Sequence, residues 1–201
     1  MSETIDYYFT VTSPWSYLGD ARFRELVSRA GRQIDYKPVD MHAVFSVSGG
    51  LPLAERPAQR KAYRLAELRR WRDRLNVPLN IEPKYFPAPS DTAMRMVVAA
   101  KLDGTSADQL GALVHAFMRA VWSEEKNIAD KDTLQAIVGD AGFDGAKLLA
   151  RAQDQDTEAA YQAYTDEAIQ AGVFGAPTYV VDGEMFWGQD RLDFVQERLS
   201  V

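Results

Sequence analysis

Residues 13–16 are the first candidate for chemistry, a Ser-Pro-Trp-Ser segment that follows an apolar stretch. Residues 5–11 before it are rich in β-branched and aromatic side chains, and the residues after it carry apolar side chains at helical spacing. Ser13 and Pro14 are helix-start signals, so the pattern predicts a strand, a turn and a helix. The unpaired N–H groups of such a helix start favour an anion. Ser13 could therefore simply cap the helix, or its hydroxyl could donate a hydrogen bond to a thiolate or an oxyanion.

A serine hydrolase is only weakly supported by this segment. A nucleophilic serine needs an adjacent base, and His42 and His115 are the only histidines in the chain. The sequence also has no Gly-x-Ser-x-Gly elbow.

Residues 175–178, a Gly-Ala-Pro-Thr segment, are the second candidate, and they precede a clear strand pattern. Pro177 could simply mark the start of that strand. A cis bond between Ala176 and Pro177 would instead present the backbone of Ala176 to a ligand, although only about 5% of X-Pro bonds are cis.

The third candidate is the Trp-Gly-Gln-Asp-Arg-Leu segment at residues 187–192. Asp190 is a candidate N-cap for a terminal helix that would begin at Arg191. A carboxylate at that helix start could instead hold the ammonium group of a ligand.

The elements that must position these segments follow a simple order. A strand, a helix at residues 15–27 and a strand at residues 33–39 predict a β–α–β unit. Helical patterns then run from about residue 41 to 169, and strand signals return only at residues 177–181 and 185–187. Because the two ends must pair to bury their strands, we predict one α/β unit with a helical insertion.

Composition excludes several classes of protein. The chain has 201 residues and no cysteine, which excludes disulfides, thiolate metal sites and catalysis by a cysteine of this chain. A net charge of −6 disfavours a general nucleic-acid binder, and two distant histidines indicate no metal site. The first residues lack the basic cluster and apolar run of a signal peptide, and no window has the ~18 apolar residues of a membrane span. We therefore expect a cytoplasmic protein.

The three segments in this order resemble a thioredoxin-like α/β fold with a large all-helical insertion, as in DsbA. In that fold a Cys-Pro-x-Cys motif stands where residues 13–16 stand here, so serine at both positions excludes dithiol redox chemistry. The resemblance implies a discontinuous thioredoxin-like domain at residues 1–44 and 172–201 and a helical insertion at 45–171. Within this superfamily the chain resembles the 2-hydroxychromene-2-carboxylate isomerases, which are close to the kappa-class glutathione transferases. The segments that carry this resemblance are residues 8–9, 13–18, 120–122, 173–178 and 186–192.

The resemblance implies glutathione as a cofactor. Ser13 matches the serine that hydrogen-bonds the glutathione sulfur, so it would stabilise the thiolate rather than attack the substrate. The backbone of Ala176, before a cis Pro177, would pair with the cysteinyl part of glutathione. Gln189 and Asp190 match the pair that holds the γ-glutamyl end.

A basic residue early in the insertion also belongs to the pattern that the resemblance implies. Arg60 and Lys61 are both candidates, and the sequence does not choose between them. Either could equally be a solvated charge on a basic helix face. An asparagine that the family often places shortly before this point is absent, and Leu51 lies in that stretch.

A small planar aromatic carboxylic acid is the substrate class that the resemblance implies. The candidate walls for its ring are Trp15, Tyr85, Phe86, Trp122 and Trp187. Lys84 and Arg95 are candidates for contact with its carboxylate. Each of these aromatic residues could instead be an ordinary core residue.

The implied activity interconverts 2-hydroxychromene-2-carboxylate and trans-o-hydroxybenzylidenepyruvate by reversible addition of the glutathione thiolate, and the implied assembly is a homodimer. Two other functions stay open on the sequence alone. One is a kappa-class-like glutathione transferase or peroxidase, because it needs the same thiolate at Ser13. The other is a non-catalytic thioredoxin-like binding module.

Overall fold

A four-stranded mixed sheet joins the two ends of the chain in the computed structural model, which describes residues 3–201. Its strands are β1 (Thr4–Phe9), β2 (Gln33–Pro38), β3 (Thr178–Val181) and β4 (Glu184–Trp187). They lie in the order β2-β1-β3-β4, with β1 parallel to β2 and antiparallel to β3. The predicted pairing of the chain ends is therefore confirmed.

Helices form most of the remaining chain. Within residues 3–201 they are α1 (Pro14–Arg29), α2 (Met41–Ser48), α3 (Ala58–Leu75), α4 (Asp91–Leu102), α5 (Ala107–Trp122), α6 (Lys131–Asp140), α7 (Gly145–Arg151), α8 (Gln155–Gln170) and α9 (Leu192–Leu199). The first helix completes the predicted β–α–β unit, and α2 to α8 all lie between β2 and β3. This confirms a thioredoxin-like fold with a helical insertion, while the boundaries at residues 44/45 and 171/172 stay a prediction. No helix in the described part of the chain is both long enough and apolar enough to span a bilayer.

One predicted helix boundary is wrong. Asp190 does not cap the terminal helix, because it lies inside a 3₁₀ turn, Gln189–Arg191, and α9 begins only at Leu192. The turn forms because Gly188 adopts a φ of 100° and its carbonyl accepts a hydrogen bond from the N–H of Arg191 at 3.1 Å. Asp190 is therefore presented on a tight turn before the helix.

The sheet and the insertion share one hydrophobic core. Tyr7 of β1 stacks on Phe9 and on Tyr179 of β3, with ring centroids 4.8 Å and 5.4 Å apart. The buried residues of α4 and α5, such as Met94 and Phe117, belong to the same continuous cluster. The insertion thus packs directly on the sheet, and burial of these large side chains is a main source of the fold's stability.

Lys37 of β2 ties α8 to the sheet. Its ammonium is nearly buried and lies 2.9 Å from a carboxylate oxygen of Asp6 and 2.5 Å from Oε1 of Glu167 in α8. The hydroxyl of Tyr8 donates to the same Glu167 oxygen at 2.9 Å. A buried ammonium is tolerated when it is paired in this way. The cluster therefore fixes the helix that leads into the loop before β3.

Gly19 allows α1 to approach the turn at residues 189–191. A Cβ at this position would lie 2.7 Å from Cβ of Gln189 and 2.9 Å from the hydroxyl oxygen of Tyr179. Both separations are shorter than ordinary van der Waals contacts, so a side chain would force the two elements apart. A glycine here keeps the start of α1 and the C-terminal turn in contact.

We expect the Gly19→Ala variant to lose about 1–3 kcal/mol of unfolding free energy, because the added methyl group overpacks this contact. Urea denaturation monitored by circular dichroism measures the change. Gly139→Ala is the matched control, because the exposed Gly139 has no atom within 4 Å of the added Cβ, so helix propensity should leave that variant as stable or slightly more stable. Equal stability of the two variants would contradict the tight contact.

Candidate functional site

Ser13 caps the start of α1, as its position in the sequence predicts. Its backbone is extended, with φ −85° and ψ 119°, and Pro14 is the first residue of the helix. The N–H of Ser16 donates to the hydroxyl oxygen of Ser13 at 3.2 Å. Ser13 is 8% exposed, so its hydroxyl lies at the edge of the protein surface beside the unpaired N–H groups of the helix start.

The hydroxyl of Ser13 also reaches the loop before β3. It donates to the carbonyl oxygen of Ala176 at 3.1 Å, across 163 residues of sequence. The Ala176–Pro177 bond is cis, which confirms the interpretation that this loop presents the backbone of Ala176. The loop is held from its other side, because the hydroxyl of Thr178 donates to the carbonyl of Gly175 at 2.7 Å. The structure therefore brings together Ser13, Ala176 and Pro177.

The turn that carries Asp190 is anchored to the same loop. The N–H of Gly188 donates to the carbonyl of Pro177 at 2.9 Å. Asp190 is exposed, and its carboxylate lies 3.3 Å from the guanidinium of Arg191. Gln189 is 2% exposed, and its Oε1 has no hydrogen-bond partner within residues 3–201. Of the predicted pair, Asp190 is open to a ligand, whereas the side chain of Gln189 lies inside the protein.

Trp187 forms a wall beside this loop. Its ring centroid is 4.7 Å from that of Phe174, and half of its surface is exposed. The indole lies directly over Gly175, since a Cβ there would be only 2.2 Å from the indole nitrogen. Glycine at this position is what allows the tryptophan to approach the loop this closely.

A second aromatic pair joins the end of α5 to the loop before α4. The rings of Phe86 and Trp122 are 4.7 Å apart, and the guanidinium of Arg64 lies 5.6 Å and 6.0 Å from their centroids. Trp122 is fully buried, and its indole N–H has no partner among the described residues. Trp15 is partly buried against the main core. Two of the predicted aromatic walls are thus in contact with each other.

The other predicted basic and aromatic residues are more dispersed. The ammonium of Lys84 lies over the exposed ring of Tyr85, 4.9 Å from its centroid. Arg95 of α4 forms an ion pair with Glu158 of α8 at 2.5 Å.

The two candidate basic residues at the start of α3 differ in their contacts. The ammonium of Lys61 donates to the carbonyl of Ala54 at 2.7 Å, whereas Arg60 is exposed. The structure does not choose between them.

Asp20 is a buried acid that sequence reasoning missed. Its Oδ2 accepts from Nε of Arg24 at 3.1 Å and lies 2.8 Å from Nδ1 of His115, while Oδ1 has no partner within residues 3–201. Burial and the nearby Asp20 carboxylate raise the pKa of Tyr179 well above its ordinary value. The signal was present, because Asp20 lies three residues from the buried Phe23 at helical spacing.

His115 is therefore committed to Asp20, and it does not act as a base for Ser13. His42 is exposed on α2. The geometry around Ser13 consequently lacks the base that a serine nucleophile needs. What it offers is a helix start, a hydroxyl and a backbone carbonyl, an arrangement suited to binding an anion or a thiolate together with an extended peptide.

Comparison with known proteins agrees with this arrangement. A profile of the DSBA-like thioredoxin domain matches residues 4–200. A 2-hydroxychromene-2-carboxylate isomerase of Sphingobium xenophagum is 32% identical over 99% of both chains. A solved structure of a 2-hydroxychromene-2-carboxylate isomerase superposes with a TM-score of 0.82 at 28% identity, covering 98% of this chain and 94% of the other. The glutathione S-transferase kappa 1 of Caenorhabditis elegans is 25% identical over 98% of this chain and 90% of that protein.

The fold and the Ser-Pro-x-Ser helix start define a DsbA-like thioredoxin protein without its redox cysteines. The chain belongs to the 2-hydroxychromene-2-carboxylate isomerase family of these proteins.

The Ser13→Ala variant is expected to lose about 1–2 kcal/mol of unfolding free energy, because both the helix cap and the bond to Ala176 disappear. Urea denaturation provides the measurement. Ser106→Ala is the matched control, since the exposed Ser106 caps α5 through the N–H of Gln109 at 3.4 Å and, within residues 3–201, forms no hydrogen bond to a distant loop. If Ser13→Ala were as stable as the unmodified protein, the hydrogen bond to Ala176 would contribute nothing to the free energy of unfolding.

Proposed function

We propose that the protein is a glutathione-dependent isomerase that interconverts 2-hydroxychromene-2-carboxylate and trans-o-hydroxybenzylidenepyruvate. The observation that carries the proposal is the hydroxyl of Ser13, which lies at a helix start and faces the carbonyl before a cis proline. Relatives that are 31–32% identical over nearly the whole chain carry the name of this isomerase.

The residues around Ser13 fit glutathione. The carbonyl of Ala176 can accept from a peptide N–H of an extended tripeptide, which would replace the bond from Ser13. The exposed carboxylate of Asp190 suits the α-ammonium of the γ-glutamyl end. The basic pair Arg60 and Lys61 remains the proposed partner for the glycyl end.

Bound glutathione would supply a nucleophilic thiolate, whose reversible addition to the conjugated double bond of the ring-opened substrate lets that bond rotate. The chain's own part is to hold and stabilise the sulfur. Once a ligand N–H occupies the carbonyl of Ala176, the hydroxyl proton of Ser13 is free to turn towards the sulfur. The helix start adds its partial positive charge at the same point, so both groups favour the thiolate.

Ser13 itself remains a hydrogen-bond donor throughout this scheme. It needs no base, which agrees with the commitment of His115 to Asp20. The proposed walls for the aromatic ring are the partly exposed Phe86, which is backed by the buried Trp122, and the exposed Trp187.

The Ser13→Ala variant is expected to lower kcat for chromene carboxylate isomerisation by about 10- to 100-fold, because a hydrogen bond to a charged sulfur contributes about 1.5–3 kcal/mol. Ultraviolet absorbance of the substrate and product follows the reaction at saturating glutathione. The Ser106→Ala variant serves as control and should retain full activity. Near-normal turnover in Ser13→Ala would remove Ser13 from the mechanism.

A glutathione transferase of the kappa class is the second candidate, favoured by the 25% identity to the Caenorhabditis elegans protein. The same thiolate site would serve both reactions. Ready conjugation of a halogenated aromatic, together with no spectral change of the chromene carboxylate, would favour the transferase. Absence of glutathione binding in calorimetry would leave only a non-catalytic binding module.

The proposed enzyme is a cytoplasmic homodimer. Light scattering after size exclusion tests the dimer, for which a mass of about twice 22.5 kDa is expected. Fractionation of the source cells tests the location.

A further inference from the structure

Arg64 is a partly buried cation without a carboxylate partner. It lies on α3, and within residues 3–201 no acidic side chain forms a salt bridge with it. Most other arginines whose side chains are withdrawn from solvent are paired, as Arg95 is with Glu158 and Arg32 is with Asp182. A charged group that is removed from water without a partner is unfavourable, so an unpaired arginine at this position indicates a role in binding.

The surroundings of Arg64 make this cation more strongly attractive to an anion. Burial, with a smaller effect of Arg56, lowers the pKa of Arg64 to about 10, and the opposing pull of Glu82 is weaker still. The guanidinium stays protonated at neutral pH. It is therefore a poorly hydrated positive charge that any arriving carboxylate would relieve.

Two aromatic rings lie beside this charge. Phe86 and Trp122 present their faces to the guanidinium at 5.6 Å and 6.0 Å, and their own centroids are 4.7 Å apart. The buried indole N–H of Trp122 has no partner in the described part of the chain, so a hydrogen-bond donor lies in the same cluster. The cluster thus combines one partly buried cation, the partly exposed ring of Phe86 and, in contact with both, the buried indole of Trp122.

Arg64 is also the last in a short row of three arginines. Arg56 lies just before α3, Arg60 and Arg64 lie one turn apart on it, and none of the three has an ion-pair partner among residues 3–201. Arg56 instead donates to the carbonyl of Leu51 at 2.8 Å. Such a row raises the local concentration of anions in a protein whose net charge is −6.

We propose that Arg64 and Phe86, backed by the buried Trp122, form a subsite for an aryl carboxylate, in which Arg64 pairs with the carboxylate and the partly exposed ring of Phe86 packs against the aromatic ring. The substrate class rests on the proposed isomerase function, but the subsite is assigned from this chain's own contacts. Lys84 and Arg95, which the sequence suggested for the carboxylate, lie respectively over Tyr85 and in an ion pair with Glu158. Arg64 is the better placed cation because it is unpaired and already lies beside aromatic rings.

A carboxylate could also come from the glycyl end of glutathione. The aromatic contacts favour the aryl acid, because a glycyl group has no ring to pack on Phe86. The exposed Arg60, one helical turn towards the start of α3, suits the more hydrated glycyl carboxylate. The two sources therefore predict different effects when Arg64 is replaced.

The test is calorimetric titration of the full-length protein with trans-cinnamate and with its neutral analogue, trans-cinnamamide. The unmodified protein should bind the acid more tightly than the amide, and Arg64→Leu should weaken acid binding by at least about tenfold while leaving amide binding almost unchanged. Glutathione affinity should not change. Arg69→Leu, which removes an exposed arginine of the same helix, is the matched control and should bind both probes normally.

Arg64→Lys tests whether the positive charge alone is enough or the planar shape of the guanidinium is also needed. It also gives a second variant in case Arg64→Leu does not fold. Lysine keeps the charge but loses the planar fork, so acid binding should be intermediate. Arg64→Leu should unfold at the same temperature as the unmodified protein or higher, because it removes an unpaired charge from a partly buried position.

Unchanged acid binding in both Arg64 variants would overturn the subsite, as would a loss of glutathione affinity without loss of acid binding. Steady-state kinetics separate this failure from that of the proposed function. If the protein isomerises the chromene carboxylate with the same KM in Arg64→Leu, the subsite is wrong and the function stands. If acid binding depends on Arg64 but no isomerisation occurs, the subsite stands and the function is wrong.

Discussion

The site depends on the close approach of α1 to the loop before β3, which the hydrogen bond from the Ser13 hydroxyl to the carbonyl of Ala176 marks. This hydrogen bond joins the first helix of the chain to the loop before β3, across 163 residues that include β2 and the whole helical insertion. The whole insertion must therefore pack correctly before the two halves of the site meet. The Lys37–Glu167 cluster, which fixes α8 on the sheet, and Gly19, which brings α1 against the C-terminal turn, serve the same end.

The proposed function relies on this constraint to bring sulfur chemistry to a chain without cysteine. A thioredoxin-like helix start stabilises a thiolate whether the sulfur belongs to the chain or to a ligand. The groups that would stabilise the sulfur and the proposed aryl subsite belong to different elements. Ser13 begins α1, whereas Arg64 lies on α3 and Trp122 ends α5. Under the proposed function, substitutions at Ser13 and at Arg64 should therefore change cofactor affinity and substrate affinity independently of each other.

Much of the fold followed from the sequence, because its signals are local or depend on element order. The Ser13 cap, the strand pairing of the chain ends and the helical insertion were all predictable from spacing and turn residues. Asp190 was misplaced as a cap because the φ of Gly188, which inserts a 3₁₀ turn, depends on tertiary packing. Arg64 was overlooked because an arginine in a basic helix usually faces water, and only the packing of distant rings shows otherwise.

The most direct test of the central claim is the pKa of the glutathione thiol when it is bound to the protein. Thiolate absorbance in the ultraviolet, followed as a function of pH, gives this value for the complex and for free glutathione. A free thiol titrates at about 8.5, and stabilisation by Ser13 and the helix start should lower that value by about 1–2 units. A bound thiol that titrates at or above the free value would contradict the account.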